Sequence, residues 1–382
     1  MKPLELIAAC VLASCLAAHA EPVVPTSDSQ VIEVLPAVGG DRAEERRLRR
    51  EWAANPADAS LAVPLSQRYL EQARADGDPR RAGLALAALK AWPEPNKAPE
   101  DVLLMVATIE QYLHEFDKAG AHLENLVRRQ PAHAQGWLTL ATVRRVQGRY
   151  ADSDKACEAL AAANAALHAQ ACKAENAGLR GDFDAGIDTL TRLARTPRID
   201  AGTRNWLLTT LAETQARAGQ FDRAEASYRA ALASRDDGYT LVSFADFLLN
   251  RQRAADALAL LKTQPRNDAV LLRLAIAGAV AKSPDGARDV REMRERIRLA
   301  NQRPEARTTH AREQAMFALW VDASPERALQ LARANAKHQR EPLDLLVLAQ
   351  AARASGQQAA MAEADSLRKD MGLHDRRLDE LL

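Results

Sequence analysis

Apolar residues through the middle of the chain recur three or four apart, in short blocks separated by small or turn-forming residues. In one block Leu208, Leu211 and Ala212 are followed by Gly219, then by Phe221, Ala224, Tyr228, Ala231 and Leu232. The first three mark one face of a helix, the glycine a left-handed stop, and the rest the buried face of a second helix. The same frame returns at Trp137, Leu140, Ala141, Gly148 and Tyr150, and at Ala174, Gly181 and Phe183. One step earlier it reads Leu103, Val106, Ala107, Phe116, Ala119, Leu123, Leu126 and Pro131. The aromatic after the turn falls at 116, 150, 183 and 221, a spacing of 34, 33 and 38, and the longest interval carries an insertion at Thr196-Pro197-Arg198.

Weaker copies extend both ways. Leu241, Phe244 and Ala245 lead to Ala257 and Leu261; Leu271, Leu274 and Ala275 lead through Ser283-Pro284-Asp285-Gly286 into a helix marked by Val290, Met293, Ile297 and Ala300. Met316 to Val321 turns at Ser324-Pro325, and Leu345, Leu348 and Ala349 precede Gly356. Nearer the N-terminus, Leu65, Tyr69 and Leu70 precede the turn Gly77-Asp78-Pro79 and a second helix through Leu89. The pattern predicts about nine helical hairpins, none able to bury its apolar face alone, so they are expected to stack.

The order of large apolar residue, leucine, small residue, glycine, aromatic, alanine, aromatic and alanine closely resembles the tetratricopeptide repeat, over residues 59–371. The resemblance implies an all-α, right-handed α–α superhelical solenoid whose concave groove, lined by the first helix of each hairpin, binds partner peptides or proteins. At the groove positions of that frame stand Leu138, Thr142 and Arg145, then Glu175, then Trp206, Thr209 and Glu213, then Tyr239, Val242 and Asp246, and finally Glu313, Phe317 and Trp320. Members of the family that hold a C-terminal carboxylate use lysine and asparagine at two of these positions. Here the pairs are Leu138 and Thr142, Thr209 and Glu213, and Val242 and Asp246, so that clamp is absent. The acidic run Glu175, Glu213 and Asp246 instead predicts a partner segment with basic and apolar side chains. Trp206 suits either such a surface or packing between helices.

Composition adds limits. Among 382 residues, 52 Lys and Arg face 51 Asp and Glu, so no global field draws the chain to nucleic acid or an anionic membrane. The first twenty residues read as an export signal: Lys2, an apolar run from Leu6 to Leu16, and Ala18-His19-Ala20 before a cleavage point at Glu21. That run is too short to span a bilayer. Leu12-Ala13-Ser14-Cys15 also resembles a lipobox, which leaves two readings, soluble export or a lipid anchor at Cys15. Either places the mature chain in the periplasm or at the outer membrane. Residues 21–40, with three prolines and a glycine pair, suit a flexible leader or tether, residues 41–58 an N-terminal helical cap, and residues 372–382 a C-terminal cap or tail.

The sequence holds no phosphate-binding loop, no dinucleotide fingerprint, no H-E-x-x-H, no G-x-S-x-G and no C-x-x-C. The eight histidines are scattered without metal-ligand spacing, so neither metal nor cofactor is expected. Cys157 and Cys172 stand equidistant from an expected turn at Asn164-Ala165 and so face each other across a hairpin. They suit a disulfide in an oxidising compartment, or two reduced core thiols. Together these features predict a non-catalytic scaffold or adaptor for other envelope proteins. The alternative is a protein binding a glycan or other ligand, for which a compact aromatic-lined pocket is expected.

Overall fold

The computed structural model describes residues 40–302 and 310–382. The signal-like segment, Cys15 and the leader through residue 39 lie outside the described residues. The chain divides into two compact units, residues 1–47 and 48–382. The described part of the first is the start of helix α1 (Gly40–Ala54). In the second unit Trp52, from the end of α1, donates its indole Nε1–H to Ala88 O at 2.9 Å.

The rest of the second unit is helical, with no strand among the described residues. Hairpin one pairs α2 (Ala59–Asp76) with α3 (Pro79–Ala88), hairpin two α4 (Glu100–Tyr112) with α5 (Phe116–Arg129), and hairpin three α6 (Ala134–Val146) with α7 (Tyr150–Ala162). Hairpins four and five are α8 (Ala166–Leu179) with α9 (Phe183–Ala194) and α10 (Ala201–Arg217) with α11 (Phe221–Ser234). Hairpins six and seven are α12 (Gly238–Asn250) with α13 (Ala254–Leu261) and α14 (Asp268–Ala281) with α15 (Gly286–Ala300). Hairpins eight and nine are α16 (Ala311–Trp320) with α17 (Pro325–Ala336) and α18 (Pro342–Ala354) with α19 (Gln358–Met371). A short helix, α20 (Arg376–Asp379), ends the chain.

Local chemistry accounts for these elements. Asp58, Asp200, Asp237 and Asn267 cap α2, α10, α12 and α14 by accepting from backbone N–H groups of the first turn. Helix α5 buries Phe116, Ala119, Leu123, Leu126 and Val127, a stripe at helical spacing. Each hairpin turns through one residue in the left-handed region: Gly77, His114, Gly148, Gly181, Gly219, Gln252, Lys282, Ala323 and Gly356, with φ from +49° to +92°. Four of the nine are not glycine and carry roughly 1–2 kcal/mol of strain each. The backbone keeps the repeat where the sequence has lost it. Glycine fills the turn in hairpins one, three, four, five and nine, and the same turn persists without it in the other four.

Hairpins join through apolar and polar contacts. Tyr228 of hairpin five stacks on Phe244 of hairpin six, ring centroids 5.1 Å apart. Beside them Asn205 Nδ2 donates to Ala231 O at 3.0 Å, Thr240 Oγ1 donates to Asn205 Oδ1 at 3.2 Å, and Thr209 and Thr240 share a hydrogen bond of 2.8 Å. All three side chains are buried and therefore need these partners.

The stack also closes on itself, the turn of an early hairpin meeting the hairpin six places on. Asn267 Nδ2, at the start of hairpin seven, donates to Ala75 O beside the turn of hairpin one (3.2 Å). His114, the turn of hairpin two, feels the charges of Glu313 and Arg312 in hairpin eight. Arg340 N, entering hairpin nine, donates to Val146 O beside the turn of hairpin three (2.8 Å). The tail then continues the course over hairpins four and five. His374 N donates to Leu179 O at 2.8 Å, and a Cβ added to Gly181 or Gly219 would stand 2.8 Å from His374 Cγ or 2.9 Å from Arg376 Cδ. Glycine at these turns thus supplies the left-handed angle and also lets the tail approach. One apolar cluster unites Tyr150 and Leu179 with Leu345, Leu348, Leu373 and Leu378 across this seam.

Candidate functional site

The closure turns the inner face into a cavity of about 660 Å³. Its wall comes from the first helices of hairpins three to seven, through Thr142, Arg145, Glu175, Trp206, Glu213, Val242, Asp246 and Arg273. The returning chain closes it with Arg312 and Glu313 of α16, Glu341 to Leu343 at the start of α18, and Arg377 of the tail. The size lies within the roughly 300–1,000 Å³ typical of small-molecule sites.

Ten of the predicted groove residues line it: Thr142, Arg145, Glu175, Trp206, Thr209, Glu213, Tyr239, Val242, Asp246 and Glu313. Three do not. Leu138 is half-buried away from it, Phe317 is buried in the cluster that holds Tyr150 and Leu373, and Trp320 packs against that cluster. Both aromatics occupy inner frame positions, but in hairpin eight they join the apolar packing, where the Arg294 guanidinium of hairpin seven lies 5.5 Å from the centre of the Phe317 ring. Thr209 reaches the wall with its hydroxyl already committed to Asn205 O and Thr240. Trp206 stacks on His168, ring centroids 5.6 Å apart.

The acidic run is electrically compensated. Glu175 pairs with Arg145 at 3.0 Å, and Asp246 receives two bonds from Arg273, at 2.9 and 2.7 Å. Glu213 accepts from Tyr239 Oη at 2.9 Å and Ser243 Oγ at 2.8 Å, and burial pushes its carboxyl up against the opposing charge of Arg217. The stripe therefore offers a partner little free negative charge, in contrast to the expectation of a basic segment drawn by it. Arg145 and Arg273 stand on hairpins next to the carboxylates they meet, which no single repeat reveals, whereas Arg217 follows Glu213 on α10.

Sequence reasoning missed Tyr150, Arg217, Arg273, Arg312, Glu341 and Arg377, all on the cavity wall. Arg377 is held by Asp375 (2.9 and 2.5 Å), and Arg312 lies 3.1 Å from Glu313, 3.0 Å from Glu341 and 3.4 Å from Asp344. Burial alone would raise Glu313, but Arg312 and Arg273 outweigh it and hold the carboxyl at about 2. Four buried atoms on this wall have no hydrogen-bond partner: Tyr150 Oη, Glu175 Oε2, Arg217 Nε and Glu313 Oε2. Unlike polar atoms of a packed core, these face a cavity in which water or a bound group can meet them.

The repeating frame, the left-handed turn in every hairpin and the inner wall of first helices agree. The fold is that of a tetratricopeptide-repeat protein. No family model and no curated protein matches the sequence. Among solved structures, a tetratricopeptide repeat protein from Parabacteroides merdae is 17% identical, with 59% of this chain and 85% of that one aligned and a TM-score of 0.46. PilF of Pseudomonas aeruginosa is 14% identical over 56% of this chain and 96% of its own, with a TM-score of 0.37. A Rap protein complexed with Competence and Sporulation Factor is 10% identical over 89% of this chain and 94% of its own, with a TM-score of 0.47.

Cys157 and Cys172 flank the site from the α7–α8 hairpin, whose turn residue Asn164 has φ +61°. Their sulfurs are at bonding distance, 1.98 Å, with Cα atoms 5.7 Å apart, and both side chains are buried. Closing a loop of 15 residues is worth about 3 kcal/mol in the chain-entropy model. Reduction, or the double substitution Cys157→Ala with Cys172→Ala, is expected to lower stability by about 2–4 kcal/mol. Urea titrations with and without dithiothreitol read this directly, and coincident curves would show that the bridge adds nothing.

His114 gives the seam a pH dependence. Burial lowers its imidazole to about 4, with Glu313 opposing and Arg312 and His310 adding to the shift. The unfolded chain therefore binds this proton more readily than the folded one, so the contribution is complete above about pH 6.5 and is lost as pH falls towards 4. The loss is about 1–3 kcal/mol, discounted for partial exposure. His114→Asn keeps a residue that tolerates the left-handed angle and should flatten the stability profile between pH 4 and 6.5. An unaltered slope would assign the acid sensitivity elsewhere.

Proposed function

We propose that this protein is a non-catalytic recognition protein of the bacterial envelope that takes a segment of another protein into its concave cavity. The observation that carries this reading is the cavity itself, walled by the first helices of successive hairpins and lined by buried polar atoms without partners. Backbone amides and carbonyls of a bound segment supply the complementary donors and acceptors. The envelope assignment rests on the signal-like N-terminus, and the paired Cys157 and Cys172 are consistent with an oxidising compartment. Whether the chain is free in the periplasm or anchored at Cys15 is decided by fatty-acid labelling of wild type and Cys15→Ser.

A second reading has its own support. The cavity is compact and includes Trp206 and Tyr239, as expected for a protein that binds a glycan or other small ligand. Photo-crosslinking in intact cells separates the two. A photoreactive residue at Val242, on the cavity wall, is expected to yield protein adducts that one at the exposed Leu84 does not, and Trp206→Ala should reduce them. Equal adducts from both positions would remove the cavity from the account, and adducts made only with glycan would select the second reading.

A further inference from the structure

Among the described residues six large apolar side chains are exposed, and two of them, Leu84 (49%) and Leu86 (36%), stand on one outer helix, α3. The others, Tyr239, Val280, Leu299 and Leu382, lie one to an element, and Tyr239 faces the cavity. Helix α3 buries Ala82, Ala85 and Ala88, which leaves Gly83, Leu84, Leu86 and Ala87 on its outward side, with Ala91 just past its end. Exposed cations flank that side. Arg80 holds Asp78, and Lys90, whose Nζ lies 5.5 Å from the centre of the Trp52 ring, has no carboxylate partner among the described residues. Arg49 and Arg50 are exposed on the turn of α1 before Trp52, which is tied to α3 through Ala88 O. Other outer helices differ: α5 exposes Asp117, Lys118, Glu124 and Arg128, and α11 exposes Asp222, Arg223 and Arg229. The first hairpin of a solenoid keeps its outer face polar when that face meets only water.

Shape and charge select what meets this one. Neither leucine lines the concave cavity, and a single helix is convex, so it offers no pocket for the anchoring side chain of a protein partner. A second copy laid along it in either direction would set Arg80 and Lys90 against one another or against themselves, a repulsive pairing. A lipid surface needs no pocket. Leucines enter the headgroup boundary, while the stems of Arg and Lys lie along it with their charges at the level of the phosphates. The balance of charge over the whole chain does not oppose this, because screening confines the attraction to cations near the surface.

We propose that the outward face of α3 docks on an anionic phospholipid membrane, Leu84 and Leu86 entering the headgroup boundary and Lys90, Arg80, Arg49 and Arg50 meeting lipid phosphates. The proposal is independent of what fills the cavity. The test takes the chain purified from cells with Cys15→Ser, so that no lipid anchor at Cys15 contributes. It is mixed with vesicles of phosphatidylglycerol and phosphatidylethanolamine, or of phosphatidylcholine alone, and followed by flotation and by hydrogen exchange. Amides 83–91 should exchange more slowly with the anionic vesicles only, and high salt should remove the difference. Leu84→Ser with Leu86→Ser should lower the affinity at least about tenfold, and Lys90→Glu by about tenfold. All three side chains are exposed, so the variants should keep the parent's urea midpoint. Unchanged exchange at 83–91, equal protection by both vesicles, or affinity indifferent to the double substitution overturns the assignment. Protein adducts from a photoreactive residue at Leu84 would give the face to a protein partner instead, and protection that grows with protein concentration without vesicles would give it to a second copy.

Discussion

Ending the chain at Met371 is expected to lower the free energy of unfolding by about 3–6 kcal/mol and to open the concave cavity. The truncation removes Leu373 and Leu378, both at most 1% exposed, each worth roughly 1.5–3 kcal/mol of burial. It also removes the bond from His374 N to Leu179 O and the wall residue Arg377. Because stacked repeats are stabilised mainly by their neighbours, the loss should be local, with hairpins eight and nine released before the centre. A urea titration should show a lower midpoint or a separate early transition, and amides near Gly148, Gly181 and Gly219 should exchange faster. Leu378→Ser in the full-length chain should reproduce about half of the loss, as one of two buried leucines. If truncated and full chains share one midpoint and one exchange pattern, the tail is a bystander and the ring holds without it.

The hairpins were legible because their signals are local. A glycine two residues before an aromatic fixes a turn, and a small residue such as Ala141 or Ala212, both fully buried, fixes where two helices touch. The inner face was also largely legible, since helical periodicity determines which side of α6, α8, α10 and α12 faces the axis. What the inner face meets was not. Gly148 and Met371, or Asn267 and Ala75, are brought together by the accumulated rotation of six hairpins, and no pattern within one repeat carries that sum. Charge was misjudged for the same reason. Asp246 read alone is an acidic groove residue, but Arg273 from the next hairpin neutralises it. Phe317 shows the limit from the other side. It occupies an inner frame position and is nonetheless 3% exposed, because at hairpin eight the inside of the spiral has become the core.

The other large effect should come from Arg312→Met. The Arg312 side chain holds Glu313, Glu341 and Asp344, and Asp344, whose side chain is fully buried, also accepts from Asn335 Nδ2 at 2.8 Å and from Glu341 N at 2.7 Å as part of the cap on α18. Methionine fills similar volume but leaves three carboxylates without their cation, a change that costs about 3–5 kcal/mol for a buried charge. The sign of its pH dependence separates this cause from simple loss of packing. In the wild type Glu313, held at about 2, contributes stability that is complete above pH 4.5 and fades only in strong acid, whereas burial pushes Asp344 up to about 7 against the opposing charge of Arg312, so its contribution is complete in acid and fades as pH rises towards 7. In the variant Glu313 loses the cation that holds it down and Asp344 the one that limits its rise, so both move up, each proton taken up favours the folded chain, and stability should fall more steeply as pH rises towards 7. The difference between wild type and variant should therefore be largest near neutrality and shrink towards pH 4. A packing defect would leave a difference that does not vary with pH, and that result would show the cluster to be a scaffold of contacts rather than of charge.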